Sequence, residues 1–282
     1  MWLLYSVAGS VIFGYGVFLV KMGMHRGGSE QHILLGLYLA GTVGFVALIL
    51  KAGSFQLSPL IALAALFIGA GSVFGNTYFV KALQHGPLGL TAPLTDLNIV
   101  CIVVLSVILY DESLEARKWL AIGIIIIATA AIHFYRGEHD TVTSRRWYGF
   151  VGISIIMLMF RNGGLKAAEA AALDTTSILL LAYILGIVWF AIRIRREKAP
   201  VSRAERNIGI RYGLMVGVAS SAGLVLYSKG LAGGPAVIVV PVFSTYTSIT
   251  VLFSLLFLKE RLTGMQLAAV AGIIGGVVLL HV

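Results

Sequence analysis

Apolar residues run along this chain in stretches of about twenty, each closed by a short polar or glycine-proline break. About twenty residues is the length an α-helix needs to cross the hydrocarbon core of a bilayer. The runs lack the alternation of period two, over about ten residues, that marks a strand of a membrane β-barrel. Read this way, the chain holds ten spans, over residues 2–22, 33–51, 59–84, 88–110, 117–135, 147–167, 176–193, 209–232, 236–258 and 264–281. The breaks carry helix punctuation. Gly27-Gly28-Ser29 interrupts the first connection and Pro59 opens the third span. Gly86-Pro87 and Gly234-Pro235 each put a glycine past one helix end and a proline at the start of the next helix. Thr263 and Gln266 stand at the spacing of a capping box ahead of the last span.

Composition narrows the class. Of 282 residues, 59% are hydrophobic and 12% charged, with a mean hydropathy of +0.95. A soluble domain carries about 25% charged residues. A soluble enzyme and a disordered chain are excluded, and the ten spans leave no room for a soluble domain. Met1 to Val20 lacks a basic leader and an evident cleavage site, so it is read as a retained first helix. Cys101 is the only cysteine and lies in an apolar run, which leaves no internal disulfide. The six histidines show no metal-ligand spacing, and no metal or cofactor is expected.

The two Gly-Pro corners lie 148 residues apart, and sliding the chain against itself by that amount exposes a repeat. Ser72 falls on Ser220, Gly75 on Gly223, Lys81 on Lys229, Pro93 on Pro241, Ser106 on Ser254, Glu112 on Glu260 and His133 on His281. About a quarter of positions 66–134 match without a gap. Shared leucines mean little in so apolar a chain, whereas shared Lys, Glu, Pro and Gly-Pro in register carry information. Five helices per repeat return the second half to the membrane upside down, so the halves are expected to be inverted about an axis in the membrane plane. The expected fold is an all-α membrane protein of ten transmembrane helices in two inverted five-helix repeats, 1–135 and 147–282, joined by a linker at 136–146.

Ten spans in two halves, each with Gly-Pro after its third helix, an acidic turn after its fourth and a Gly-rich apolar last helix, resemble the drug/metabolite transporter superfamily of EamA type. The acidic turns are Tyr110-Asp111-Glu112 and Leu258-Lys259-Glu260-Arg261. The resemblance covers the whole chain and is strongest over 66–134 and 214–282. It implies alternating access around a central cavity lined by the first, third and fourth helices of each half. It also implies substrates among amino acids, nucleotide sugars, sugar phosphates, cofactors and drugs, with export the favoured direction.

The net charge of +9 does not signal nucleic acid, because excess Lys and Arg in such a chain mark cytoplasmic loops. Loops after odd-numbered spans hold fifteen of the Lys and Arg residues, seven of them between Arg193 and Arg211, and loops after even-numbered spans hold six. This bias puts the odd loops in the cytoplasm and both termini outside the cell membrane.

Ionisable groups inside spans are candidates for function. Asp96 is the only acid well inside a span, and its register partner is Ser244. It is read either as a proton-coupling or ammonium site, or as a structural contact to Asn98, Tyr78 or a basic residue. Arg161, next to Asn162-Gly163-Gly164, either grips a carboxylate or phosphate in a weakened helix or snorkels to the surface. Lys21, Lys81, Lys166 and Lys229 near helix ends are read as snorkelling. Thr91, Thr95 and Asn98 share one face of the fourth span; Ser72 and Asn76 share one on the third; Ser220 and Tyr227 lie on the eighth, and Tyr246 and Thr250 on the ninth. The expected substrate contacts are Asn76, Thr95, Asn98, Arg161, Asn162, Ser220, Tyr227, Tyr246 and Thr250. The acidic turns are read as structural, since acids suit helix N-termini. Gly213 and Gly217 are read as close-packing positions, and Tyr5, Trp147, Trp189 and Tyr212 as interfacial belt residues.

The sequence thus points to a secondary active transporter of a small polar metabolite, anionic or zwitterionic. The expected partners are that substrate and the bilayer, with no nucleic acid and a monomeric state. The alternative on the same scaffold is a flippase for a lipid or lipid-linked sugar. The chain has no nucleotide-binding loop, catalytic dyad or nucleophile elbow, so an enzyme is not expected.

Overall fold

The computed structural model describes residues 1–98, 101, 116–134, 144–197, 201–233, 242–243 and 245–281. Among these, ten helices follow one another: α1 (Trp2–His25), α2 (Glu30–Ala52), α3 (Pro59–His85), α4 (Leu88–Thr95), α5 (Ala116–Phe134), α6 (Arg145–Ala170), α7 (Thr175–Arg195), α8 (Arg203–Gly233), α9 (Tyr246–Phe257) and α10 (Gly264–His281). Six of them, α1, α2, α3, α6, α7 and α8, are long and apolar enough to cross a membrane. The described parts of α5 and α10 add shorter apolar stretches, Trp119–Ala128 and Gly264–Leu279. Residues 99–100 and 102–110 of the fourth span, the Asp111-Glu112 turn, Gly234-Pro235 and residues 136–143 of the linker lie outside the described residues.

Local sequence sets the ends. Ser58 accepts the Ile61 N–H at 3.2 Å with Pro59 in the first turn of α3, and Asp174 accepts the N–H groups of Thr176 and Ser177 at the start of α7. Both bonds of the capping box form: Thr263 N–H to Gln266 Oε1 at 3.0 Å, and Gln266 N–H to Thr263 Oγ1 at 3.2 Å. Gly53 ends α2 at φ +64°, a left-handed conformation that suits glycine.

The helices are apolar on both sides. Ile33, Tyr38, Ile68 and Ile125 are fully buried, while Val43, Leu63, Ile127, Val218 and Phe257 stay exposed on outward faces. A stripe of polar residues on the outer face, as on a soluble helix, is absent from these positions. The main packing partners cross the chain midpoint: α1 and α2 on α8, α3 on α6 and α7, α2 on α7, α1 and α4 on α9, and α5 on α10. Small residues allow the closest crossings. A Cβ on Gly36 would lie 2.8 Å from the carbonyl oxygen of Ile210, and one on Gly217 would lie 2.6 Å from that of Leu37, so α2 and α8 touch backbone to backbone. The expected packing role of Gly213 and Gly217 is met on this face.

Candidate functional site

The site is framed by the corner between α3 and α4. The last carbonyls of α3 have no partner within the helix. The Lys21 ammonium, from α1, donates to the carbonyls of Leu83 and Gly86, the second at 2.9 Å. This corrects the expected snorkelling of Lys21: free carbonyls at a helix C-terminus stand within its reach and attract a cation. On the other side of the corner, Glu260 accepts the N–H groups of Leu88 and Gly89 at 2.8 and 2.9 Å. The acidic turn is structural as expected, but the N-terminus that it serves is that of α4, 172 residues away, rather than that of α10. Trp147 completes the corner. It is fully buried, with its indole N–H on Thr91 Oγ1 at 3.0 Å and its ring where a side chain on Gly86 would sit. The belt expectation therefore fails for Trp147, because the missing Cβ at Gly86 opens a slot that the indole fills.

The α4 helix stops at Thr95, with Asp96 as its C-cap. Pro93 has no N–H to give and weakens this turn. Thr95 Oγ1 bonds the carbonyl of Ala92 at 2.8 Å, and Asn98 Nδ2 takes the carbonyl of Thr95. The α9 helix begins at Tyr246 after a turn at Thr245. The Asp96 carboxylate spans these two helix ends. It accepts the Tyr246 hydroxyl at 2.8 Å and the Thr247 hydroxyl. The structural partners expected for Asp96 (Asn98, Tyr78 or a cation) are thus replaced by two hydroxyls in the first turn of α9. A carboxylate there also faces the positive end of that helix.

Beside this junction lies an inner chamber of about 100 Å³. Asn76, Arg161 and Ser220 supply its polar lining with Tyr183, and Phe13, Leu34 and Leu224 are among its apolar walls. The Arg161 Nε is buried and has no hydrogen-bond partner among the described residues. Snorkelling is therefore set aside, since that nitrogen lies inside the bundle. The expected weakening of the helix at Asn162-Gly163-Gly164 is also corrected: α6 runs through these residues without a break, and Gly164 packs on Phe67 and Ile68 of α3. Asn162 donates to Asn98 Oδ1 at 2.8 Å, tying α6 to the segment that follows α4.

The other expected contacts fall around the chamber rather than in it. Thr250 bonds the carbonyls of Gly14 and Tyr246 at 3.1 and 3.0 Å, linking α9 to α1. Tyr227 stacks near Phe243 at 4.3 Å between ring centroids, and Phe13 meets Tyr246 edge-on at 4.9 Å. Sequence reasoning missed Tyr38. It is fully buried on α2, shares a hydrogen bond with Ser72 at 2.9 Å and accepts the Asn76 amide at 3.1 Å. The available signal was a tyrosine in mid-span, whose buried hydroxyl needs a partner.

A second and larger space, a vestibule of about 730 Å³, opens where α1, α3 and α7 end and α2 and α8 begin. Lys21, Lys81 and Arg193 face Glu30, Glu197 and Glu205 across it. The Lys81 ammonium sits 5.0 Å from the centre of the Tyr78 ring. Lys229 lies 5.8 Å from the ring of Tyr5, away from both spaces, and the side chain of Lys166 is outside the described residues.

Comparison with known proteins places this architecture. The chain superposes on a solved crystal structure of another protein with a TM-score of 0.60, over 96% of this chain and 95% of that one, at 15% identity. It is 33% identical over 76 residues to the probable 4-amino-4-deoxy-L-arabinose-phosphoundecaprenol flippase subunit ArnE of Pectobacterium atrosepticum. That match takes in 27% of this chain and spans 61% of the length of the relative. The profile of the EamA-like transporter family matches residues 1–134 and 163–282. A multi-pass helical membrane protein matched along nearly all of its length, this chain belongs to the EamA-like transporter family.

Proposed function

We propose that the protein is a secondary active transporter that carries a small polar metabolite with an acidic group across the cell membrane. The observation that carries this reading is Arg161, whose Nε is buried and, among the described residues, unpaired at the wall of a chamber that also presents Asn76 and Ser220. A buried donor without a partner is costly, and a carboxylate or phosphate of the substrate supplies the missing acceptor in the fork geometry that a guanidinium favours. Alternating access arises from two inverted halves, 1–135 and 147–282, that rock about this chamber. The 148-residue register, the family match over both halves and the packing pattern support a duplicated plan, and five helices per half turn the second copy over. Exchanging the first five helices for the last five turns the α1–α8 contact into α6–α3 and the α2–α8 contact into α7–α3, and both counterparts exist. Asp96 is the proposed proton carrier, set where the broken fourth helix of one half meets the ninth helix of the other.

A second reading has one observation in its favour. The curated relative is named a probable 4-amino-4-deoxy-L-arabinose-phosphoundecaprenol flippase subunit, and a head group bearing phosphate would also suit Arg161. Reconstitution separates the two. Vesicles holding the purified protein are loaded with the water-soluble metabolites of a cell extract, and the compounds released are identified by mass spectrometry. A second set carries fluorescent phospholipid and polyprenyl-phosphate probes whose leaflet is read by dithionite quenching. Protein-dependent release of acidic metabolites with static lipid probes supports the first reading; moving lipid probes with no release supports the second and rejects the first.

A further inference from the structure

The vestibule and the inner chamber share one lining residue, Leu34. The helix α2 carries a stripe that runs from one space to the other: Glu30 and Gln31 line the vestibule, Leu34 lines both, and Leu37 lines the chamber. Helix α3 repeats the arrangement on adjacent faces, with Thr77 and Lys81 toward the vestibule and Asn76 and Val80 toward the chamber. Leu34 lines both spaces, so at that point a single side chain separates them. Leu34 is 3% exposed and packs in a cluster with Val20, Val80, Leu83 and Phe190. On the vestibule side, the buried Oε1 of Gln31 has no hydrogen-bond partner among the described residues. On the chamber side, neither has the Nε of Arg161. A polar mouth, an apolar plug and a chamber that holds Arg161, Asn76 and Ser220 among apolar walls follow in order along one helix face. Apolar constrictions of this kind close a pore by excluding water.

We propose that the vestibule is the mouth through which substrate enters the chamber, and that the Leu34 side chain is the gate between them. The proposal rests on the transport reading above and adds the route. The vestibule presents Lys81 and Arg193 together with Glu30, Glu197 and Glu205, so charges of both signs meet the entering molecule ahead of the gate. Once Leu34 swings aside, the acidic group meets Arg161.

The test uses the full-length protein in membrane vesicles with Cys101→Ser, which removes the native thiol. A reporter cysteine is placed in the chamber by Ser220→Cys or in the vestibule by Thr77→Cys. Each is reacted with the impermeant 2-sulfonatoethyl methanethiosulfonate, and the rate is followed with Leu, Val, Ala or Phe at position 34. The vestibule reporter should react at the same rate in all four. The chamber reporter should react about tenfold faster with Leu34→Ala than with Leu34, the factor expected if the open state is favoured by about 1.4 kcal/mol. Leu34→Val should fall between them, and Leu34→Phe should slow the reaction below the parent. Gel filtration shows which variants are folded; if Leu34→Ala is not, the Val and Phe variants decide the matter by their opposite directions. Chamber rates that ignore residue 34, or a reporter reached only from the opposite face of the membrane, overturn the gate. The labelling needs no transported substrate. A gate that behaves as expected in a protein that moves nothing would reject transport and leave the route standing.

Discussion

At the residue scale, Arg161 and Asp96 answer different questions. Arg161 has a buried nitrogen with no partner among the described residues, which the proposed function assigns to a ligand. Truncating it should weaken substrate binding by the worth of a charged hydrogen bond, about 1.5–3 kcal/mol or roughly ten- to a hundredfold. Arg161→Lys should restore only part of this, because a point charge does not reproduce the fork. Substrate Kd in detergent, measured for parent, Ala and Lys variants, checks the order. Unaltered binding in the alanine variant would remove Arg161 from the site. Asp96 is already bonded, to Tyr246 and Thr247. Asn at this position keeps both partners, since its oxygen accepts from one hydroxyl and its amide donates to the other. Asp96→Asn should therefore fold normally and exchange substrate, yet fail to concentrate it under a pH gradient. Accumulation at the parent level would make the junction purely structural and place the coupling elsewhere.

At the element scale, the corner between α3 and α4 is held by one cation and one carboxylate from distant parts of the chain. Lys21 satisfies carbonyls at the end of α3, and Glu260 satisfies amides at the start of α4. Glu260→Ala leaves two N–H groups without this partner and should lower stability by about 1–2 kcal/mol, since the carboxylate is partly screened by water. A thermal melt in detergent should show a fall in Tm of several degrees for Glu260→Ala, smaller for Glu260→Gln, which can still accept one bond. No shift for either would mean that Lys21 and Trp147 hold the corner without Glu260. Much at this scale was legible in the sequence. Gly86-Pro87, Pro59 and the Thr263–Gln266 box mark helix ends because their chemistry is local. The partners of Lys21, Asp96 and Glu260 were not legible, because periodicity tells which face of a helix is polar and not which helix lies opposite. Trp147 was misplaced for a related reason: an amphipathic ring near a span end fits an interface and a buried slot equally, and only the contact with Gly86 decides. Tyr38 was passed over because its apolar neighbours in sequence hide the Ser72 and Asn76 that meet it in space.

At the scale of the whole molecule, the packing joins the first five helices to the last five along most of their length, with α1 and α2 on α8 and α3 on α6 and α7. Two halves so intermeshed have no separate cores, and a movement of one against the other must pass through the helices that line the chamber. The central claim is that the halves are inverted. Lys81 and Lys229 occupy the same register position in each half, at the ends of α3 and α8. Lys81→Cys and Lys229→Cys, each made in the Cys101→Ser background, are reacted with an impermeant maleimide in right-side-out and inside-out vesicles. The inverted arrangement predicts labelling from opposite sides, with Lys81→Cys on the cytoplasmic face that the charge bias assigns to odd loops. Labelling of both cysteines from the same side would contradict the inversion, and with it the account of alternating access built upon it.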